Sequence, residues 1–85
     1  MRHRAEIIVT LKSGVLDIQG KAVFQSLQQL GYGELEDVRV GKVIHLLLDA
    51  PTPEKARELA RGMCEDLLVN ELIEEYRISL EAAEQ

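Results

Sequence analysis

An 85-residue chain with 10 Lys and Arg against 15 Asp and Glu carries a formal net charge of -5, which opposes binding to a polyanionic nucleic-acid backbone and leaves room for one hydrophobic core. Its 46% hydrophobic and 29% charged residues describe one folded domain over residues 1–85 with a solvated exterior, and no apolar run suits a signal-peptide core or a membrane span. That pattern leads to the expectation of a cytoplasmic setting, the single cysteine, Cys64, excludes an internal disulfide framework, and self-association is expected because small domains bury a modest fraction of their surface.

Along the chain the hydrophobic period changes in an orderly way. From Arg4 to Lys12, Ala5, Ile7, Val9 and Leu11 alternate with Glu6, Ile8, Thr10 and Lys12, the pattern of a strand. The connection that follows, Gly14-Val15-Leu16-Asp17-Ile18-Gln19-Gly20, is unusually apolar for a loop, which predicts that it is covered by its own helix or by another chain. From about Gly20 to Leu30 the apolar positions Val23, Leu27 and Leu30, supported by Ala22 and Phe24, have helical spacing, and Gly31 supplies a stop. Glu34 to Val40 and Lys42 to Ala50 then read as two strands of a hairpin turning at Gly41. Thr52-Pro53-Glu54 opens a second helix with a cap, a proline in the first turn and an acid near the positive end of the dipole. Its core stripe is Ala56, Leu59, Ala60, Met63, Cys64 and Leu67, and the helix ends near Asn70. Residues Ile73 to Glu81 alternate as a last strand, with Tyr76, Ile78 and Leu80 on one face.

The order strand, helix, strand, strand, helix, strand predicts an α+β, ferredoxin-like βαββαβ two-layer sandwich, with an antiparallel sheet and both helices on one face. The other face would carry Ile8, Leu35, Val43, Leu47 and Ile73 among the polar Arg39, His45, Glu75 and Arg77. That is drier than a solvated sheet face, so this face or an adjoining edge is expected to serve a homo-oligomer.

Catalytic constellations are hard to find. His3 falls in the amino-terminal tail and His45 on a strand, no serine or cysteine has a local base and orienting acid, and no metal-ligand spacing stands out. Gly31-Tyr32-Gly33 lacks the dinucleotide fingerprint, and Gly41-Lys42 lacks the P-loop glycine and the hydroxyl residue after lysine. Cys64 reads as a small buried hydrophobe.

The succession Val9-Thr10-Leu11-Lys12, Gly14-Val15-Leu16-Asp17, Gln19-Gly20, Leu30-Gly31-Tyr32, Val38-Arg39-Val40-Gly41-Lys42, Leu67-Leu68, Asn70, Ile73-Glu74 and Tyr76 closely resembles the PurS subunits of phosphoribosylformylglycinamidine synthase. The resemblance covers nearly the whole chain. It departs at Ile18 and Glu71, where the family often has proline, and at His45, near which many relatives carry an acid. What the resemblance implies is a noncatalytic subunit of an amidotransferase in de novo purine synthesis, acting as a homodimer or higher homo-oligomer. It would bridge a glutaminase subunit (PurQ) and a synthetase subunit (PurL). It would hold no catalytic, cofactor or metal residue of its own, with ATP and magnesium bound on the synthetase.

Residues expected at subunit or partner contacts are Asp17, Gln19, Arg39, Lys42 and Tyr76. Asp17 is equally readable as a helix cap, Arg39 and Lys42 as a solvated turn, and Tyr76 as a core aromatic. Gly14, Gly20 and Gly41 are read as backbone requirements. Two other classes are a ferredoxin-like module that binds a small metabolite, which calorimetry against amino acids and nucleotides would reveal, and a small enzyme built from residues of an oligomer interface.

Overall fold

A computed structural model describes residues 1–83. Strand β1 (Arg2–Leu11) is the spine of a three-stranded sheet, flanked by β2 (Lys42–Asp49) and β3 (Glu74–Ala82), both antiparallel to it. Period-two alternation points His3, Ala5, Ile7 and Val9 to one side, and all four are buried. His3 is therefore part of the first strand rather than a tail residue, and its Nε2 lies 3.2 Å from the Ala50 carbonyl oxygen.

Helix α2 (Pro53–Met63) begins where Thr52 caps the Lys55 N–H at 3.1 Å, with proline and Glu54 in the first turn as the sequence predicts. It lays Ala56 and Ala60 on Ala5, Leu48 and Ala50, with Leu46, Ile78 and Leu80 around them. These small residues bring helix and sheet close together. At Cys64–Leu68 the helix widens into a π turn, closed by the Val69 N–H donating to the Cys64 carbonyl at 3.0 Å. The extra residue in that turn rotates the stripe. Leu67 is left 83% exposed, while Cys64 and Val69 pack on Ile7 and Val9 with Leu68 and Tyr76 beside them. Leu59 and Met63 also lie at the margin of the stripe rather than in the core.

Helix α1 (Ile18–Gln29) packs against neither the sheet nor α2. The ferredoxin-like order of elements is kept, yet the expected second strand, Glu34 to Val40, runs as irregular backbone that joins no ladder, so the hairpin at Gly41 does not form. This segment instead returns along α1, tied by the Gln28 side-chain amide donating to the Leu35 carbonyl at 3.0 Å. Helix and return segment make an arm that leaves the sheet, and the molecule measures 51 × 29 × 15 Å with a radius of gyration of 16.6 Å. A compact chain of this length would have about 12 Å.

Candidate functional site

Asp17 organises the base of the arm. It is the N-cap of α1, and one carboxylate oxygen accepts the Gly20 N–H at 2.8 Å while the other accepts the Val40 N–H at 2.7 Å. The side chain thus holds the start of the helix and the end of the return segment together. Those two bonds lower its pKa below the ordinary carboxylate value, with burial opposing and the Arg39 guanidinium assisting. Gly20 sits so tightly in this junction that a Cβ would come within 2.5 Å of the Val38 carbonyl oxygen. At Gly41 an added Cβ would meet the Val9 carbonyl oxygen at 2.6 Å. Gly14 has a φ of 89°, which suits the tight turn closed by the Val15 N–H on the Lys12 carbonyl at 3.1 Å.

The other expected contact residues divide. Arg39 donates to the carbonyls of Leu11 at 3.1 Å and Lys12 at 3.4 Å, clamping the return segment to the end of β1. Lys42 reaches over β1 to Glu74 at 3.8 Å. Tyr76 packs on the Ile7 and Val9 cluster, where burial first, then Cys64, Glu65 and Glu71, push its hydroxyl pKa up against a smaller opposing effect of Arg61. Gln19 is exposed on the first turn of α1. Ile18 is the first residue of that helix, a position where proline fits well because its N–H needs no helical partner.

The apolar loop is not covered by its own chain. Leu16 is 68% and Ile18 74% exposed, and along the arm Val23, Leu30 and Tyr32 are exposed as well. Phe24 and Val38 line one shallow groove between helix and return segment with Val15 and Leu16, and Leu27, Tyr32 and Leu35 line another. Meanwhile the uncovered sheet face is less apolar than expected. Leu35 and Arg39 belong to the arm, Ile73 lies in the turn before β3, and only Ile8, Val43 and Leu47 remain on the face itself.

Chemistry on that face is sparse. Register places Ser79, Glu6 and His45 in one row across β3, β1 and β2, with Arg4 and Glu81 lining the same hollow. The row carries the residue types of a triad in the wrong order. The acid stands between hydroxyl and imidazole, which puts the would-be base two strand spacings, about 9.6 Å, from the nucleophile it must deprotonate. Cys64 is buried, and burial, with Glu65 and Glu71, pushes its thiol pKa up, away from the reactive thiolate. Among the described residues no group of three or more His, Cys, Asp or Glu could hold a metal ion, and no helix is long and apolar enough to cross a membrane.

A family model for PurS, phosphoribosylformylglycinamidine (FGAM) synthase, matches residues 4–82. This chain belongs to the PurS family. It is a PurS-type subunit of phosphoribosylformylglycinamidine synthase, a ligase of purine biosynthesis. The synthase subunit PurS of Synechocystis is 44% identical over 96% of this chain and 82% of its own length. A crystal structure of PurS from Methanocaldococcus jannaschii superposes with a TM-score of 0.87 at 33% identity, covering 96% of this chain and 99% of that one. A chain in the structure of PurLQS from Thermotoga maritima does so with a TM-score of 0.87 at 33% identity, over 95% and 99%. Since these matches span the arm as well as the sheet, the departure of α1 from the sheet belongs to the shared shape.

Proposed function

We propose that this chain acts, as one PurS-like domain over residues 1–85, by holding a glutaminase and a synthetase in fixed relation so that ammonia passes from one to the other. The observation that carries this reading is the arm. A helix with exposed Leu16, Ile18, Val23, Leu30 and Tyr32 about it and no packing on its own sheet is matched to surfaces outside the chain. The occurrence of a similar chain in PurLQS of Thermotoga maritima supports partners of the PurL and PurQ kinds for this one. ATP and magnesium would then be bound on the synthetase, and the complex would work in the cytoplasm. Self-association, as a dimer or larger, belongs to the same reading. The surface area of 6259 Å² exceeds by roughly 1,000 Å² what a compact protein of this mass exposes, comparable to the ~800 Å² each partner gives to a standard interface.

Ammonia escapes once protonated in water, so placing the two active sites and excluding solvent between them accelerates the overall reaction without any reactive side chain here. Gln19 is one of the exposed polar groups of the arm available to meet a partner, while Asp17 and Arg39 act by shaping the arm. Lys42 and Tyr76 support the sheet beneath it. Reconstitution tests the reading: omitting this chain from a mixture with the glutaminase and synthetase should abolish glutamine-dependent FGAM formation and spare most of the activity with added ammonia. Full glutamine-dependent activity in its absence would refute it.

A further inference from the structure

The connection from α2 to β3 carries an apolar prominence on a fixed backbone. Leu67, at 83%, and Leu72, at 87%, are the most exposed large hydrophobics among the described residues, above any on the arm. One such side chain on a surface is ordinary, but two on the same short connection are not scattered. The π turn, closed on the Cys64 carbonyl, leaves Leu67 outside the core, and single π turns recur at functional sites. Around Leu72 the Asn70 carbonyl accepts the N–H groups of Ile73 at 3.0 Å and Glu74 at 2.7 Å. The Asn70 side-chain oxygen accepts the Leu72 N–H at 3.2 Å, and one Glu74 carboxylate oxygen accepts the Asn70 N–H at 2.8 Å. Lys42 holds the other Glu74 oxygen, and the Lys12 N–H fastens the turn to the end of β1 through the Ile73 carbonyl at 2.8 Å. These bonds would close the turn with any residue at position 72, so they do not account for leucine there. An apolar group ordered in advance does lower the entropy cost of a contact made later.

The surroundings are of one sign. From Gly62 to Tyr76 the sequence holds five acids and no lysine or arginine. Glu74 pairs with Lys42, while Glu65, Asp66 and Glu71 are exposed and in no ion pair among the described residues. Glu65 and Glu71 both push up the pKa values of the Cys64 thiol and the Tyr76 hydroxyl, so their charges converge on one place. We propose that Leu67 and Leu72, within this acidic rim, form a second docking surface, for a protein partner whose apolar recess is bordered by lysine and arginine. An apolar centre inside a charged rim is the usual anatomy of a protein contact, and the same acids repel nucleic acid and anionic lipid. The proposal rests on the bridging reading and deepens it. A chain that holds two different enzymes must offer them different surfaces, and further copies of the chain only repeat the arm. The occupant is therefore the one enzyme of the pair that presents the basic recess.

Capture of the glutaminase and of the synthetase, each assayed separately on the immobilised chain, tests this. Leu67→Ser together with Leu72→Ser should weaken capture of one enzyme by about tenfold or more, through faster dissociation. Capture of the other enzyme, the oligomeric mass and the circular dichroism should not change. Glu65→Lys together with Glu71→Lys should weaken capture of the same enzyme by slowing its association, and wild-type capture of it should fall as salt is added. Unchanged capture of both enzymes by the double-serine chain overturns the proposal, and so does equal loss of both. A reduced oligomeric mass also overturns it, by giving the patch to a second copy. Salt-independent capture removes the basic partner and with it the proposal. A wild-type chain that captures neither enzyme overturns the bridging reading itself.

Discussion

At Asp17 one side chain does the work of a cap and of a tertiary staple. The sequence left cap and partner contact open for it, and the structure settles both carboxylate oxygens on backbone N–H groups of Gly20 and Val40. Only the first of those was legible, because a cap lies within three residues and the second bond joins positions 23 apart. The electrostatic consequence has a definite sign. A pKa lowered in the fold means that the carboxylate contributes stability above its ordinary unfolded value of about 4, and that this contribution is lost as pH falls through the lowered folded value. The amide protons of Gly20 and Val40 should therefore titrate together with a midpoint below about 4, and Asp17→Asn, which keeps a cap oxygen, should abolish that titration. Titration of both amides in the Asp17→Asn chain would remove the staple. Gly20 shows the same economy: it was readable as a backbone requirement, but the reason, the Val38 carbonyl overhead, comes from a segment that the sequence had assigned to the sheet.

Among the elements, the amphipathic helix with its capped start was the most legible, and its end the least. The i, i+3, i+4 series through Ala56, Ala60 and Cys64 holds, because a regular helix must present one stripe to the sheet. A π turn breaks that arithmetic by one residue, and the core takes Val69 where the stripe had nominated Leu67. In urea denaturation Val69→Ala should cost about 1–3 kcal/mol, while Leu67→Ala should stay within about 0.5 kcal/mol; equal costs would contradict the shifted stripe. Glu34 to Val40 fails for a related reason. Its alternation is real, yet whether an alternating segment pairs depends on where the chain carries it, and here the Arg39 clamp and the Gln28 bond carry it along α1.

For the whole molecule the measure that matters is the mismatch between size and spread. A radius of gyration of 16.6 Å, against the ~12 Å of a compact chain this long, leaves the arm without a core of its own. Its helix has to borrow burial from elsewhere, since isolated helices of this length are marginal in water. Changing Leu16 and Ile18 together to serine should leave the sheet and its packing on α2 unaltered by circular dichroism, yet weaken capture of the chain by the glutaminase and synthetase at least tenfold, about 1.4 kcal/mol. Unchanged capture would move the partner surface off the arm.

By itself the sequence determined the family, the kind of every element except Glu34 to Val40, and the covered side of the sheet, because each is written in local periodicity or in residue identity. Tertiary structure alone decided that the first helix leaves the sheet, that the second alternating segment joins the arm, and that β2 keeps an open edge. The reason is physical: periodicity says which side of an element must be buried, but not which surface, of this chain or another, will bury it. For Leu16 and Ile18, exposed at the foot of the arm, the described residues of this chain do not supply that surface.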